Sequence, residues 1–381
     1  MSENPVAITQ ALVQIRSVNA GYDPSSPGAA PVFDWIEAWA RERGFAVERY
    51  PVPGGMQNLV LRIDNGPGLH LLFNGHCDTV SVEGMTIDPF SGEIRNDGEG
   101  ERLWGRGACD MKGSVAAMLV AAHRLLQDRD SWRGTLTLGF TPDEEVATAG
   151  IRALMTEIPR PDFAIVGEPS CLKPVRGCKG GLRFALRCHG VAAHSSRPER
   201  GRSAIGAMAR AILALNDYFA NVLGAITRPQ FGSSTGSIGL ISGGTGINIV
   251  PDECTIKVDI RLVPGQCPDE TYDALQAWFH REFPDGDGIR WVFELIHKDP
   301  AFEIAPDHPF TKLAGEVTGV TDPEVAFYCC DASKIAAVGV PCLILGAGDI
   351  AQAHTANEFI DVAQIEQGVE VYERIARKIL V

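Results

Sequence analysis

The chain has no Cys-x-x-Cys pair. Its 10 cysteines are scattered over 381 residues, and Cys329-Cys330 is the one adjacent pair. That spacing argues against a cysteine-bound zinc and against a disulfide framework. It suits a reducing compartment, so a cytoplasmic location is expected. No apolar run approaches the roughly 20 residues a bilayer-spanning helix needs. The opening residues Met1-Ser2-Glu3-Asn4-Pro5 lack a basic segment followed by an apolar core, so no signal peptide is expected. Positive charge is in short supply: 34 Lys and Arg face 48 Asp and Glu, a net charge of -14. An acidic surface of this kind argues against nucleic acid or a membrane surface as partner. There is no internal repeat or low-complexity segment, and no G-x-G-x-x-G follows the first strand, which argues against a dinucleotide-binding oxidoreductase.

What is present is ordinary in amount and informative in order. Hydrophobic residues make up 45% of the chain and charged residues 22%, as in a globular protein, and 381 residues favour two domains. Ile8, Leu12 and Ile15 recur at helical spacing, and a second helix over 32–43 stops at Gly44. Strands are expected over 46–50, 58–63 and 69–74. A helix over 111–127 follows, with Val115, Leu119 and Ala122 on one face, and then strands over 135–141 and 162–167. The alternation predicts an α/β sheet with both faces covered. After Lys173-Pro174 the pattern changes. Strand (182–189), helix (203–223), strands (236–241 and 254–262), helix (269–283) and strand (289–296) give the ferredoxin-like order β-α-β-β-α-β. The α/β pattern then resumes, with helices over 310–318 and 332–338, a buried strand over 341–345 and a closing helix over 362–379. The expected organisation is a discontinuous domain over 1–176 and 299–381, interrupted by a smaller one over 177–298.

Chemistry-bearing residues fall at the ends of these runs. His76-Cys77-Asp78 follows one strand, Glu144-Glu145 the next, Glu168 a third, and His354 lies shortly after the strand over 341–345; Asp110 opens the long helix. Ligands of open α/β sheets bind beyond the carboxyl ends of the strands, so these side chains are expected on one rim. A two-metal site needs a bridging carboxylate, nitrogen or oxygen end ligands and a position open to water. Two His, two Glu and a shared Asp suit zinc or a similar borderline ion. Asp78 is placed to orient the His76 imidazole. One of the two adjacent glutamates is left to act as a base toward water.

Each piece also has a plainer explanation. A lone His near a strand end is more often a surface residue than a ligand. Thr141-Pro142-Asp143-Glu144-Glu145 makes a good helix start without any metal. Asp110 could simply open its helix, and Glu168 before Pro169 could be a turn residue. The joint order of the pieces carries the inference. Gly232-Ser233-Ser234-Thr235-Gly236 satisfies G-x-S-x-G, but it precedes a strand rather than joining strand to helix, which argues against a serine hydrolase.

At these residues the chain resembles the dinuclear-zinc aminoacylase and carboxypeptidase family, which includes acetylornithine deacetylase and succinyl-diaminopimelate desuccinylase. The resemblance rests on Asn74-Gly75-His76-Cys77-Asp78-Thr79-Val80, Gly105-Arg106-Gly107-Ala108-Cys109-Asp110-Met111-Lys112-Gly113, Thr141-Pro142-Asp143-Glu144-Glu145 and Val166-Gly167-Glu168-Pro169-Ser170. It implies an α/β, mixed-sheet, zinc-peptidase-like catalytic domain with an inserted ferredoxin-like dimerisation domain, and a homodimer formed through that insert. It implies that His76 and Glu168 bind one zinc and Glu145 and His354 the other, with Asp110 between them; cobalt and manganese are the alternatives to zinc. Glu144 would be the general base and Asp78 would orient His76. The Asp110–Met111 peptide bond would be cis.

Within the family, His194 to Gly201 and Gly346 to His354 look like the acetylornithine deacetylase branch. That likeness implies that His194 reaches the partner subunit's active site to stabilise the oxyanion. It implies that Asn248 and Arg261 hold the substrate carboxylate, although Arg261 is also readable as a strand residue paired with Asp259. Cys330-Asp331-Ala332-Ser333 and Gly246 to Pro251 depart from that branch. The expected substrate is a small N-acyl amino acid, first N-acetyl-L-ornithine, cleaved to L-ornithine and acetate in arginine biosynthesis. The alternatives are a succinyl-diaminopimelate desuccinylase, another N-acyl amino acid deacylase such as one for acetylcitrulline, a dipeptidase, and a silent binder of amino-acid derivatives.

Overall fold

Residues 1–98 and 100–381 are described by a computed structural model. They divide into two units, Met1–Gly177 with Ile304–Glu324 and Cys330–Val381, and Cys178–Glu303 with Val325–Cys329.

In the first unit the strand order is Ala46–Val52, Met56–Asp64, Thr135–Thr141, His70–His76, Phe163–Val166, Cys342–Ile344 and Val175–Cys178. His70–His76 is buried throughout and runs parallel to both neighbours, and Cys342–Ile344 extends the parallel set. A strand covered on both faces reads as a continuous apolar run, and Leu71-Leu72-Phe73 is one. Ala46–Val52 and Met56–Asp64 are antiparallel, so the sheet is mixed as expected.

Helices cover the sheet. Asn4 caps the helix Pro5–Gln14 by accepting from the Val6 and Ala7 N–H groups, with proline in the first turn. The helix Gly113–Gln127 packs against Pro5–Gln14 and Val362–Ile379 and is buried nearly all round. It approaches the sheet so closely at Gly75 that an added Cβ would lie 2.9 Å from Val115 Cγ2. Glycine at that position lets the chain bring His76 in under the helix. Tyr372 packs on Phe73, with ring centroids 5.3 Å apart, and its hydroxyl donates to the Leu345 carbonyl at 2.8 Å. Burying a side chain such as Phe73 stabilises the fold by about 1.5–3 kcal/mol.

A smaller antiparallel sheet, unforeseen from the sequence, orders Phe359–Asp361, Glu101–Trp104 and Glu93–Asn96. Strands of three and four residues are too short to show a period.

The second unit holds an antiparallel sheet in the order Thr235–Gly243, Glu253–Leu262, Gly180–His189, Arg290–Asp299. Leu182, Phe184, Leu186 and Cys188 alternate inward with Cys254, Ile256, Val258, Ile260 and Leu262, and the helices Ala204–Tyr218 and Pro268–Glu282 cover that face. The chain order is β-α-β-β-α-β. Val325–Cys329, expected with the other unit, belongs here, where the Lys179 N–H donates to the Ala326 carbonyl at 3.1 Å.

Three local expectations are corrected. The long helix starts at Gly113 rather than Met111; Asp110 (φ -115°, ψ 92°) and Met111 (φ -134°, ψ 33°) are non-helical. Residues 142–148 form a turn rather than a helix start, and the helix begins at Ala149. The cause is side-chain capture of backbone donors: Asp78 accepts from the Glu144 and Glu145 N–H groups, and Asp143 accepts from those of Ala149 and Gly150. The helix expected over 203–223 ends at Tyr218 and gives way to a wider turn at Phe219–Leu223. Among the described residues no helix is long and apolar enough to cross a membrane.

Candidate metal centre

Parallel strands deliver the first candidate ligands. His76 is the last residue of its strand, and its neighbour across the ladder is Thr141, the last residue of the next. Glu144 and Glu145 follow Thr141, and Glu168 stands two residues past the strand Phe163–Val166. Asp110 comes from the turn ahead of the long helix, where the Asp110–Met111 bond is cis. His354 arrives on the loop after Cys342–Ile344 with φ 62°, a left-handed conformation that a residue with a Cβ adopts at some cost.

The six side chains converge. His76 Nε2 lies 2.9 Å from Asp110 Oδ1, and His354 Nε2 lies 3.4 Å from Asp110 Oδ2. Each imidazole thus faces its own oxygen of one carboxylate, the arrangement a bridging ligand requires. His354 Nε2 is also 3.0 Å from Glu145 Oε2, and His76 Nε2 is 3.9 Å from Glu168 Oε1. Ligand atoms of His76, Glu144 and Glu168 lie within 4.8 Å of one another, as do those of His76, Asp110 and Glu145.

Asp78 sits beneath this cluster. The His76 Nδ1 is 3.0 Å from the Asp78 main-chain carbonyl and 3.6 Å from its carboxylate. The carboxylate itself accepts from the Glu144 N–H (3.1 Å), the Glu145 N–H (3.2 Å) and Asn19 Nδ2 (2.8 Å). One residue therefore fixes the ring through its backbone and both glutamates through its side chain.

The electrostatics call for positive charge. Burial, and then the Glu168 charge, push the Glu144 carboxyl well above its ordinary range. Burial and Asp110 do the same to Glu168 and raise Glu145. Burial opposes a proton on His76, yet hydrogen bonds with Asp110 and Asp78 hold its pKa well above the usual value. Asp110 and Glu145 raise His354 to about 10. Burial works against the Asp110 carboxylate, but hydrogen bonds from His354 and His76 outweigh it and hold its pKa low. Among the described residues Glu168 Oε1 is buried without a hydrogen-bond partner. An orphaned buried oxygen costs about 1–3 kcal/mol or more when charged. The crowded carboxylates that raise both imidazoles would draw divalent cations as well, and the imidazoles would shed their protons to ligate them. The nitrogen-and-oxygen donor set fits zinc or a similar borderline ion.

The motifs left several residues of this centre without a role. Asp331, buried at the start of the helix Asp331–Ala337, accepts from the Thr141 hydroxyl at 2.9 Å through Oδ2, while Oδ1 has no hydrogen-bond partner among the described residues. Burial pushes it up to about 7. Its charge raises both Glu144 and Glu168. Arg106 and Glu358 form a buried pair beside Asp110, with Nη1 2.6 Å from Oε2. Arg106 stood inside a recognised motif, while nothing in Asn357-Glu358-Phe359 marks the glutamate.

The other three expected residues lie in the second unit. Ala193–His194 pairs with Ile249–Val250, and the Ser195 N–H donates to the Asn248 carbonyl at 3.0 Å, so His194 and Asn248 are neighbours. His194 is exposed, with Nδ1 2.8 Å from the Ser196 hydroxyl. Arg261 Nε donates to Asp259 Oδ1 at 2.7 Å, the strand pairing foreseen as its plainer role.

Comparison with known proteins follows the same lines. Residues 72–378 match the family described as Peptidase family M20/M25/M40. An acetylornithine deacetylase of Pectobacterium carotovorum subsp. carotovorum (strain PC1) is 33% identical over 385 residues, covering 97% of this chain and 96% of that one. An M20-family metallo-carboxypeptidase from Sulfolobus solfataricus has a similar structure, with a TM-score of 0.81 at 18% identity over 99% of each chain. A dinuclear metal-binding peptidase of the M20 family from Bacillus subtilis has a TM-score of 0.71 at 16% identity, covering 99% of this chain and 96% of that one.

Proposed function

The chain belongs to peptidase family M20/M25/M40, and from that membership we propose that it cleaves N-acetyl-L-ornithine to L-ornithine and acetate, a step of arginine biosynthesis. The broader description, a metal-dependent amidohydrolase, follows from the family itself. The choice of substrate is supported by the 33% identity to an acetylornithine deacetylase across nearly the full length.

One observation carries the mechanism: two imidazoles face the two oxygens of a single carboxylate, Asp110, with acidic side chains on either flank. On this reading His76 and Glu168 would hold one cation, Glu145 and His354 the other, and Asp110 would serve both. Zinc suits these donors, with cobalt and manganese as alternatives. Bound cations would polarise the amide carbonyl and make an attacking water more acidic. Glu144, left without a ligand's duty, takes the proton from that water as its oxygen attacks the carbonyl carbon. When the C–N bond breaks, Glu144 returns the proton to the leaving amine, so acetate and a free amine result. Asp78 holds Glu144 and Glu145 in register by their N–H groups.

The same reading gives the second unit a part. Its edge strand Thr235–Gly243 exposes Leu240 (62%) and Ile241 (60%), an unpaired apolar edge suited to a second copy of the chain. In a homodimer, His194 of the partner subunit would donate to the developing oxyanion, a contribution of a few kcal/mol. Asn248 and Arg261 would receive the substrate carboxylate. Among the described residues no disulfide joins the 10 cysteines, which fits the cytoplasm.

Turnover of N-acetyl-ornithine, N-acetyl-citrulline, N-succinyl-diaminopimelate and a dipeptide by the zinc-, cobalt- and manganese-loaded protein tests the proposal. Preference for N-acetyl-ornithine is the expected result. A preference for another of the four would replace the substrate, and metal binding without hydrolysis of any would leave a silent binder.

A further inference from the structure

Two segments of the metal centre come from distant parts of the chain: the turn that carries Asp110 and the loop that carries His354. The small sheet joins them. Phe359 pairs with Trp104, and one step further on the Gly105 N–H donates to the Glu358 carbonyl at 3.0 Å. That register sets Arg106 against Glu358, 252 residues away in sequence. Arg106 is 3% exposed and Glu358 is fully buried.

The pair is wired to both sides. Glu358 Oε1 accepts from the N–H groups of Cys109 (3.0 Å) and Asp110 (3.1 Å). Glu358 Oε2 receives Arg106 Nη1 at 2.6 Å. Arg106 Nη2 donates to the Thr355 carbonyl at 3.2 Å, and its Nε to the Ser81 carbonyl at 3.1 Å. For packing alone, an apolar pair of equal volume would serve with less desolvation cost. An apolar pair could not grip the Asp110 N–H at one end and the carbonyl next to His354 at the other. His354 in particular holds a left-handed conformation that neighbouring structure must maintain.

We propose that Glu358 is a positioning residue: it sets Asp110 through its backbone N–H and the His354 loop through Arg106 and Thr355, so that both side chains meet at a shared cation. The proposal rests on the metal-centre reading above. The test uses chelator-stripped full-length protein titrated with zinc alone against a chromophoric competitor, for the wild type and Glu358→Gln. Near-UV circular dichroism and melting of the metal-free proteins are recorded in parallel. Glutamine keeps the shape and one acceptor oxygen but loses the charge that holds Arg106. Zinc binding about tenfold weaker, with native near-UV dichroism, is expected. Affinity within about twofold of the wild type would overturn the proposal even if the melting point fell, because Glu358 would then act on stability alone. Should Glu358→Gln fail to fold, Arg106→Lys keeps a cation beside Glu358 but cannot span the three acceptors. It is expected to weaken the second zinc equivalent more than the first, and an unchanged second equivalent would overturn the proposal. A wild type that binds no zinc would instead overturn the metal-centre reading and this proposal with it.

Discussion

The two ends of the metal centre are built differently. His76 ends a fully buried strand, and its ring nitrogen Nδ1 is fixed by the Asp78 carbonyl. His354 rides on a loop, its side chain 54% exposed and its backbone left-handed. The first end is preorganised by the sheet that also forms the core. The second depends on a short side sheet and on one buried ion pair. A sheet end and a loop thus face one carboxylate, and the weaker support lies on the solvent side.

The largest expected effect leaves both ends intact. Glu144→Ala should lower turnover about 10^3-fold or more while elemental analysis still finds two cations per chain. Near-normal turnover would remove Glu144 from the base role. Next come the two imidazoles. His76→Ala, which strips the buried end of its nitrogen, should disturb both equivalents in a zinc titration. His354→Ala should spare the first equivalent and weaken the second roughly a hundredfold, in line with the loss of a ligand outweighing that of a supporting group. Equal losses in the two variants would erase the distinction between the ends.

Smallest is a tilt of stability with pH in the metal-free protein. Asp331 is raised from 3.8 to about 7 by burial. Between those values the folded protein keeps a proton that the unfolded chain has lost. Stability therefore falls as pH rises across that window, and the full cost is present above pH ~7. Asp331→Asn should flatten the urea-unfolding stability between pH ~4 and ~7. A slope equal to the wild type's would show that Asp331 does not titrate with folding.

How much of this was legible follows the same division. The strands that end at His76, Thr141 and Val166 could be read, with ends expected at 74, 141 and 167, because each contains an apolar run that the core demands. The second unit was readable because Leu182 to Cys188 and Cys254 to Leu262 alternate with period two. The Asp110 turn was mistaken for helix because the helical pattern of Met111 to Gln127 runs into it, while its true shape depends on Glu358 far downstream. Thr141 to Glu145 looked like a helix start because proline and carboxylates favour one; Asp78 claims those N–H groups instead. Glu358 itself precedes a strand of three residues, and its partner lies across most of the chain. Local pattern cannot show a contact of that range.

If two cations share Asp110, zinc titration of Asp110→Ala will show it. Neither equivalent should bind with anything near wild-type affinity. One full equivalent held as tightly as in the wild type would contradict it.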